Sequence, residues 1–320
     1  MKNTAKGKIL KGVGGLYTVK LLSDCVLGAG EQVRCRAKGA FRHEGITPLS
    51  GDTVTLSCPE RLSESKDGKE TAGFSISAID ERKNSLIRPP LSNLDYLFIT
   101  MAAASPSPIL TTVDKLIAIA EFNKIEPIIV ITKSELDPEY AATLSDIYSS
   151  CGFTVFCLSA KEGIGVEPID LFIKENMPHK TAAFAGASGI GKSTLLNRLF
   201  PNLSLTTSEI SRKIERGRHT TREVELFPLS DELECGYIAD TPGFSMLDFE
   251  RFDFFDKEDL PSTFREFEPY IGECRYTKCT HTKEDGCAIL AAKKKGLIAK
   301  SRHESYVELF DTLKQKKKWN

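Results

Sequence analysis

The sequence predicts a multidomain α/β protein with a small β-barrel at its N-terminus and a helical domain at its C-terminus. Three observations favour this arrangement. Short β-leaning segments fill the first 80 residues, short apolar strands alternate with helices from about residue 84, and three cysteines and a histidine cluster after residue 272. Alternating strands and helices predict a mostly parallel sheet that helices cover on both faces. We therefore expect domains at 1–80, 81–250 and 251–320.

Length and composition exclude several classes of protein. The chain of 320 residues has room for two or three domains, and its 41% hydrophobic and 27% charged residues are typical of globular proteins. No apolar run approaches the ~18 residues that a membrane helix needs, and the first residues lack the apolar core of a signal peptide. Nine cysteines, an odd number, do not indicate a disulfide framework. We therefore expect a cytoplasmic protein that does not contact a membrane.

The charge is unevenly distributed along the chain. Residues 1–72 carry a net charge of +4, residues 73–272 carry −11 and residues 273–320 carry +6, although the whole chain stands at −1. Two basic ends could contact a polyanion such as nucleic acid. On charge alone, an equally good interpretation is that both basic ends are simply solvated.

The first 80 residues have the pattern of a small barrel. Partly alternating segments lie at Lys6–Lys11, Gly15–Leu22, Gln32–Lys38 and Thr53–Ser57, with turn-forming residues between them. About five short strands in this length fit an OB-fold, which often presents a face that binds nucleic acid. We expect residues 1–80 to form an OB-fold RNA-binding domain.

The middle of the chain alternates between strands and helices. The predicted strands are Asp95–Ala102, Pro127–Ile131, Thr154–Leu158, Thr181–Gly186 and Tyr237–Ala239. The predicted helices are Leu110–Asn123, Pro138–Cys151 and one that begins near Lys192. The strands are short and apolar, as expected for strands that are buried on both faces.

A glycine-rich segment lies between one of these strands and the helix that begins near Lys192. It consists of Gly186, Ala187, Ser188, Gly189, Ile190, Gly191, Lys192 and Ser193, which fits the pattern G-x-x-x-x-G-K-[ST], and Thr194 follows it. Backbone N–H groups in such a loop bind phosphates, and the N-terminus of the helix adds a positive potential. We expect Lys192 to reach the β- and γ-phosphates and the Ser193 hydroxyl to bind Mg²⁺. The segment predicts a site for a nucleoside triphosphate.

A second phosphate-reading segment, Asp240-Thr241-Pro242-Gly243, follows the last predicted strand. A carboxylate at the end of a strand beside a phosphate loop can hold Mg²⁺, usually through water. A glycine lets a backbone N–H approach the γ-phosphate closely. We therefore expect Asp240 and Gly243 to belong to the catalytic site.

Two segments upstream of the phosphate loop are candidates for reading the base. Ser159, Ala160 and Lys161 follow a strand and resemble the loop that backs guanine in GTPases. Thr132, Lys133 and Glu135 stand where the pattern Asn-Lys-x-Asp would be expected. A carboxylate accepts hydrogen bonds from N1–H and the 2-amino group of guanine, whereas adenine has an acceptor at N1. The sequence therefore predicts a guanine site, although Glu135 is one methylene longer than Asp and Thr132 carries a hydroxyl instead of an amide.

The order of these segments is unusual. The base-reading segments at 132 and 159 precede the phosphate-reading segments at 186 and 240, whereas the phosphate loop comes first in an ordinary GTPase. A circular permutation explains this order, and it is topologically acceptable because the termini of a domain often lie close together. The chain then leaves the nucleotide-binding domain just after its phosphate sensors.

Near the C-terminus, Cys274, Cys279, His281 and Cys287 lie within 14 residues of one another. Three thiolates and an imidazole complete the tetrahedral coordination that Zn²⁺ prefers, which leaves no position for water and predicts one structural zinc ion. The local sequence has too few apolar residues to fold alone, so the metal is expected to stabilise it. The alternative is a set of uncommitted thiols.

Taken together, these features resemble the circularly permuted, ribosome-small-subunit-dependent GTPases (RsgA/YjeQ family). The resemblance rests on the permuted motif order, on Arg216-Gly217-Arg218-His219-Thr220-Thr221, on the Asp240–Phe244 segment and on the Cys/His cluster, and it covers nearly the whole chain. It implies an N-terminal OB-fold β-barrel, a circularly permuted P-loop GTPase domain and a C-terminal zinc-binding domain. It also implies GTP hydrolysis that the small ribosomal subunit stimulates late in its maturation.

The resemblance assigns roles to further residues. Thr221 would contact Mg²⁺ and the γ-phosphate, with Thr220 as the alternative. Phe244 stands where many GTPases have a glutamine that orients the attacking water, and because a phenyl ring cannot do so by hydrogen bonding, intrinsic hydrolysis is expected to be slow. His219 is the candidate for that role, and the alternative is a solvated loop histidine.

The prediction from sequence is therefore a monomeric GTP hydrolase with Mg²⁺ and Zn²⁺ as cofactors and with the small ribosomal subunit and its rRNA as partners. Two other functions remain open at this point. The protein could be a nucleic-acid-binding scaffold in which GTP is a structural ligand, a hypothesis that Phe244 keeps open. It could also be a switch that responds to ATP or to several nucleotides, given Thr132 and Glu135.

Overall fold

The structure is a computed structural model, and it describes residues 3–39, 41, 45–61, 71, 73–86, 89–201, 224–230, 232–233, 235–240 and 255–315. The chain divides into two units that interleave along the sequence. The first unit comprises Met1–Tyr96, Leu171–Phe184 and Phe200–Phe244, and the second comprises Leu97–Asp170, Ala185–Leu199 and Ser245–Asn320.

The regular elements have the following bounds. The strands are β1 (Thr4–Val13), β2 (Leu16–Leu21), β3 (Gln32–Ala37), β4 (Thr53–Ser57), β5 (Ser75–Ile79), β6 (Ser85–Leu86), β7 (Leu91–Ser92), β8 (Tyr96–Ala102), β9 (Glu126–Thr132), β10 (Thr154–Cys157), β11 (Thr181–Ala185), β12 (Glu225–Pro228) and β13 (Tyr237–Asp240). The α-helices are α1 (Leu110–Phe122), α2 (Pro138–Ser150), α3 (Val166–Asn176), α4 (Lys192–Leu199), α5 (Ala288–Lys294) and α6 (Lys300–Gln315). Two 3₁₀ helices span Leu260–Thr263 and Arg265–Tyr270.

The first five strands close a barrel in the first unit. β1 pairs with β2 and with β4, β2 pairs with β3, β3 runs parallel to β5, and β5 pairs with β4. Along β3, Val33 and Cys35 are fully buried in the barrel core, whereas Arg34 and Arg36 are exposed. This alternation is what a strand with one face on a core requires. The closed barrel confirms the predicted OB-like fold, and its fifth strand was not located from the sequence.

The strands β11, β13 and β12 pair in this order, and β12 also pairs with the barrel strand β1. β12 pairs antiparallel with β1 through Lys11 and Glu225, whose side chains form a 2.6 Å ion pair. β13 lies antiparallel to β12 and parallel to β11. Asp240, the first residue of the predicted segment Asp240–Gly243, is the last residue of β13.

The second unit contains the strands that lead to the base-reading segments. β9 lies between β8 and β10 and runs parallel to β10. Helix α2 begins at Pro138, and the Asp137 carboxylate caps it by accepting a 2.9 Å hydrogen bond from the Tyr140 amide. Helix α1 packs against the C-terminal helix α6. No helix in the described part of the chain is both long and apolar enough to cross a bilayer.

Candidate nucleotide and metal sites

The predicted phosphate loop follows the fully buried strand β11 and ends where α4 begins. Gly191 has a φ of +91°, which side chains disfavour, and its carbonyl accepts the first helical hydrogen bond from Leu195 over 3.0 Å. A Cβ on Gly186 would lie 2.3 Å from the backbone carbonyl oxygen of Thr100, so only glycine fits there. Residues 187–189 are exposed, and so are Ser193 and Thr194 at the start of α4. The loop thus has an open tip and an exposed hydroxyl at the N-terminus of the helix, as phosphate and Mg²⁺ binding require.

The segment after β9 is tied to this loop. Thr132 is 1% exposed, and its hydroxyl lies 2.5 Å from the carbonyl oxygen of Ile190 and 3.1 Å from that of Met101. Lys133 has a left-handed φ of +54°, and its ammonium group donates a hydrogen bond to the carbonyl of Ser105. Its Cε lies 4.0 Å from where a Cβ on Gly191 would be, so the lysine stem passes beside the phosphate loop.

Glu135 differs from Thr132 and Lys133 in its hydrogen bonding. Its Oε2 atom is buried and has no hydrogen-bond partner among the described residues. A buried carboxylate oxygen without a donor is costly, unless a ligand supplies one. Guanine offers two donors on one edge, so the residue fits the predicted role.

The Ser159–Lys161 segment lies next to the Thr132–Glu135 segment. The amide of Ser134 donates to the carbonyl of Leu158 over 3.3 Å, which joins the two base-reading segments. Ser159 is fully buried, and its amide and carbonyl close a turn with Ile164 and Gly163. The side chain of Lys161 is 82% exposed and so is free to lie along a ligand.

Arg198 is a residue that sequence reasoning missed. It lies on α4, and its guanidinium donates to the carbonyl of Ala160 over 3.2 Å. A Cβ on Gly163 would lie 2.2 Å from the same guanidinium, so the glycine makes room for it. The arginine links the helix after the phosphate loop to the base-backing loop. Its position on an ordinary amphipathic helix gives no signal in the sequence.

Several predicted residues fall wholly or partly outside the described residues. Asp240 is the last residue of β13, and its backbone pairs with that of Glu225. The structure does not describe its side chain. His219, Thr221 and Gly243 lie in ranges that the structure does not describe. Phe244 is outside it as well.

The four predicted zinc ligands come together. The ligand atoms of Cys274, Cys279, His281 and Cys287 all lie within 4.8 Å of one another. His281 Nδ1 is 3.5 Å from the Cys274 sulfur and 3.6 Å from the Cys287 sulfur, and these two sulfurs are 3.9 Å apart. A tetrahedral ion with Zn–S of about 2.3 Å and Zn–N of about 2.0 Å would place S and N about 3.5 Å apart and two sulfurs about 3.8 Å apart. The cluster is therefore compatible with a zinc ion.

Burial shifts the pKa values of three of these ligands. Burial raises the pKa of the Cys279 thiol to about 12 and also raises that of Cys287. Burial lowers the pKa of His281, so its imidazole is neutral, as a metal ligand must be. Without a cation the thiols would keep their protons, and a dication would release them.

Groups around the cluster hold its backbone. His281 has a left-handed φ of +58°, and its carbonyl accepts a 2.8 Å hydrogen bond from Nε2 of His303 on α6. The hydroxyl of Tyr306, one turn further along α6, donates to the carbonyl of Thr280 over 2.8 Å. Burial alone would raise the pKa of Glu284, but hydrogen bonds from Thr280 and neighbouring amides lower it to about 2. The cluster is thus fixed to the C-terminal helix.

Comparison with family models agrees with this description. Residues 79–250 match the model of the RsgA GTPase, and residues 6–66 match the model of the RsgA N-terminal domain. The chain is 36% identical to the small ribosomal subunit biogenesis GTPase RsgA of Alkaliphilus metalliredigens, over 98% of this chain and 100% of the relative. It is 37% identical to the RsgA of Caldanaerobacter subterraneus subsp. tengcongensis, over 98% of this chain and 97% of the relative.

Solved structures show the same similarity. YjeQ from Thermotoga maritima matches with a TM-score of 0.78 at 29% identity, over 98% of this chain and all of that one. YloQ, described as a circularly permuted GTPase, matches with a TM-score of 0.73 at 32% identity, over 99% of this chain and 97% of that one. The permuted motif order in the sequence agrees with this description.

Proposed function

The chain belongs to the RsgA family of GTPases, and from this membership we propose that it hydrolyses GTP to GDP and phosphate during late maturation of the small ribosomal subunit. The single observation that carries the proposal is the assembly of the nucleotide site. Within the second unit, Thr132 contacts Ile190 of the phosphate loop, and Ser134 contacts the strand that leads to Ser159. Segments that read phosphate and segments that read a base are thus held together.

The nucleotide has a defined set of proposed contacts. The open loop at residues 186–191 binds the phosphates through its N–H groups, Lys192 neutralises them, and Thr194 continues the contact surface along α4. Glu135 accepts from the guanine edge, while Ser159, Ala160 and Lys161 back the base. The exposed hydroxyl of Ser193 fits a Mg²⁺ ligand, and this ion neutralises charge on the transferred phosphate when it is bound.

The remaining catalytic assignments rest on the family resemblance. We include Thr221 and Asp240 as further residues around Mg²⁺, Gly243 as the γ-phosphate contact and His219 as the group that orients water. Intrinsic hydrolysis is slow because Phe244 stands in the usual place of the glutamine. Contacts with the small subunit and its rRNA accelerate it.

The partners and the setting are part of the same proposal. The relatives are named as biogenesis GTPases of the small ribosomal subunit, and the two basic ends of this chain, at +4 and +6, suit a polyanionic partner. We place the protein in the cytoplasm as a monomer, divided functionally at 1–80, 81–250 and 251–320. One structural Zn²⁺, held by the Cys/His cluster, stabilises the C-terminal part.

Substitution of Ser193 tests the nucleotide site. The variant Ser193→Ala removes the proposed Mg²⁺ ligand and should abolish Mg²⁺-dependent phosphate release, with the zinc content unchanged. Ser149→Ala is a matched control, because Ser149 is also exposed on a helix but lies on α2, away from the site. Undiminished hydrolysis in Ser193→Ala, measured with small subunits present, would refute the assignment.

A further inference from the structure

The hydroxyl group of Thr132 has a restricted hydrogen-bonding capacity. Both atoms that it contacts, the carbonyl oxygens of Ile190 and Met101, are acceptors only, so the hydroxyl must be the donor. A hydroxyl has a single proton, which is therefore shared between these two carbonyls. Because Thr132 is 1% exposed, the side chain lies inside the protein, between β8 and the phosphate loop. It has no proton left to donate to a base.

Glu135 is in the opposite situation. Its buried Oε2 atom has no donor among the described residues and can accept one from a ligand. Lys133, between the two, donates to the carbonyl of Ser105. Of the three residues at the predicted base-reading segment, Glu135 is thus the one with a buried acceptor atom that no described residue uses.

We infer that Thr132 is a positioning residue for the phosphate loop and does not read the base. The inference rests on the proposed GTP site, in which it gives Thr132 a different role from that of Glu135. Thr132 fixes the carbonyl of Ile190, the residue directly before Gly191, and thereby the direction of the loop amides. Its effect on affinity is the same for every ligand with a β-phosphate, whatever the base.

Substitution of Thr132 by the isosteric valine tests whether this residue positions the phosphate loop or reads the base. Thr132→Val removes the proton that the carbonyls of Ile190 and Met101 accept, so the Kd should rise roughly tenfold. The rise should be equal for GTP, GDP, inosine triphosphate and inorganic tripolyphosphate, each measured by titration calorimetry. Thr132→Ser keeps the hydroxyl and should restore all four affinities.

Two comparison variants complete the experiment. Thr100→Val makes the same change on β8, where the Thr100 hydroxyl is buried without a hydrogen-bond partner among the described residues, and it should leave every Kd unchanged. Glu135→Gln should lower the preference for GTP over inosine triphosphate and leave the Kd of tripolyphosphate unchanged.

The outcomes separate the inference from the proposed function. Equal losses for all ligands in Thr132→Val, with recovery in Thr132→Ser, support the inference. Loss of GTP and inosine triphosphate affinity in Thr132→Val with tripolyphosphate binding intact would overturn it, because both purines carry the O6 and N7 acceptors that a threonine hydroxyl could contact. Should Thr132→Val fail to fold, the same comparison of the two purine triphosphates with tripolyphosphate in Thr132→Ala decides. Failure of the wild-type protein to bind GTP would instead contradict the proposed function.

Discussion

The guanidinium of Arg302 donates a 2.6 Å hydrogen bond to the carboxylate of Asp114, and each side chain is 1% exposed. Arg302 lies on α6 and Asp114 on α1, so the pair joins the C-terminal helix to a helix beside the base-reading strands. The same guanidinium donates to Glu266 over 2.7 Å and lies 4.5 Å from the ring centroid of Phe264. The C-terminal helix is thus anchored in the second unit by a buried charge network.

Removal of Arg302 should destabilise the protein strongly. Arg302→Met leaves the carboxylates of Asp114 and Glu266 buried without a cation, which costs about 3–5 kcal/mol. Urea unfolding, followed by circular dichroism, measures the change in the free energy of unfolding. The double variant Arg302→Met/Asp114→Asn should recover part of the loss because one of the two charges is gone.

Lys300 on the same helix provides the control. Its ammonium group pairs with Glu304 over 3.5 Å, but its side chain is 83% exposed. Exposed pairs of this kind contribute little, so Lys300→Met should change the free energy of unfolding by less than about 0.5 kcal/mol. Equal effects of Arg302→Met and Lys300→Met would show that the buried network does not anchor the helix.

The Cys/His cluster predicts one zinc ion per chain. Cys287→Ser removes a ligand whose sulfur also caps α5 by accepting from the Leu290 amide. We expect the zinc content, measured by elemental analysis of the purified protein, to fall from about one ion to near zero. Cys157→Ser is the control, because Cys157 is exposed on β10 and outside the cluster. Retention of a full equivalent of zinc by Cys287→Ser would contradict the assignment.

Lys8 predicts a specific pH dependence of stability. Its side chain is buried beside the ring of Tyr237, and its ammonium group donates to Thr181 over 2.9 Å. Burial lowers the pKa of Lys8 from 10.5 to about 8, although the charge of Asp95 opposes the shift. The unfolded chain therefore binds the proton more strongly than the folded one between about pH 8 and pH 10.5. The free energy of unfolding should rise with pH in that window, by at most about 1.4 kcal/mol per unit.

Two variants isolate this contribution. In Lys8→Met the group is absent, so the stability of the wild type relative to this variant should increase from pH 8 to pH 10. Lys6→Met changes an exposed lysine on the same strand, which pairs with Asp80, and should keep the wild-type slope. Urea unfolding at several pH values gives the slopes. Parallel curves for wild type and Lys8→Met would show that the amine is not perturbed.

Local patterns could be predicted from the sequence where geometry follows from spacing. The phosphate loop is an example, because the glycines and lysine fix the loop within eight consecutive residues. Strand β5 was not located, because it pairs with β3 and β4, which are distant in the sequence, and follows a long polar stretch. Helix α3 was also missed. Its apolar residues Val166, Ile169 and Ile173 do follow helical spacing, but the helix has only 11 residues, which is too short for this spacing alone to identify it.

Side-chain roles were less predictable than backbone elements. The sequence places Thr132 in a base-reading segment, but its hydroxyl is directed to carbonyls at positions 101 and 190. Arg302 is an unremarkable basic residue on a charged helix until the fold brings Asp114 and Glu266 to it. Such partners are set by tertiary contacts, and no local spacing encodes them.

Phosphate release from GTP, measured with and without purified small ribosomal subunits, tests the central claim most directly. Slow release from GTP alone should accelerate by roughly tenfold or more when small subunits are added at low salt. High salt should remove the acceleration, because it screens the contacts between basic side chains and rRNA. A rate that small subunits leave unchanged at low salt would contradict the account.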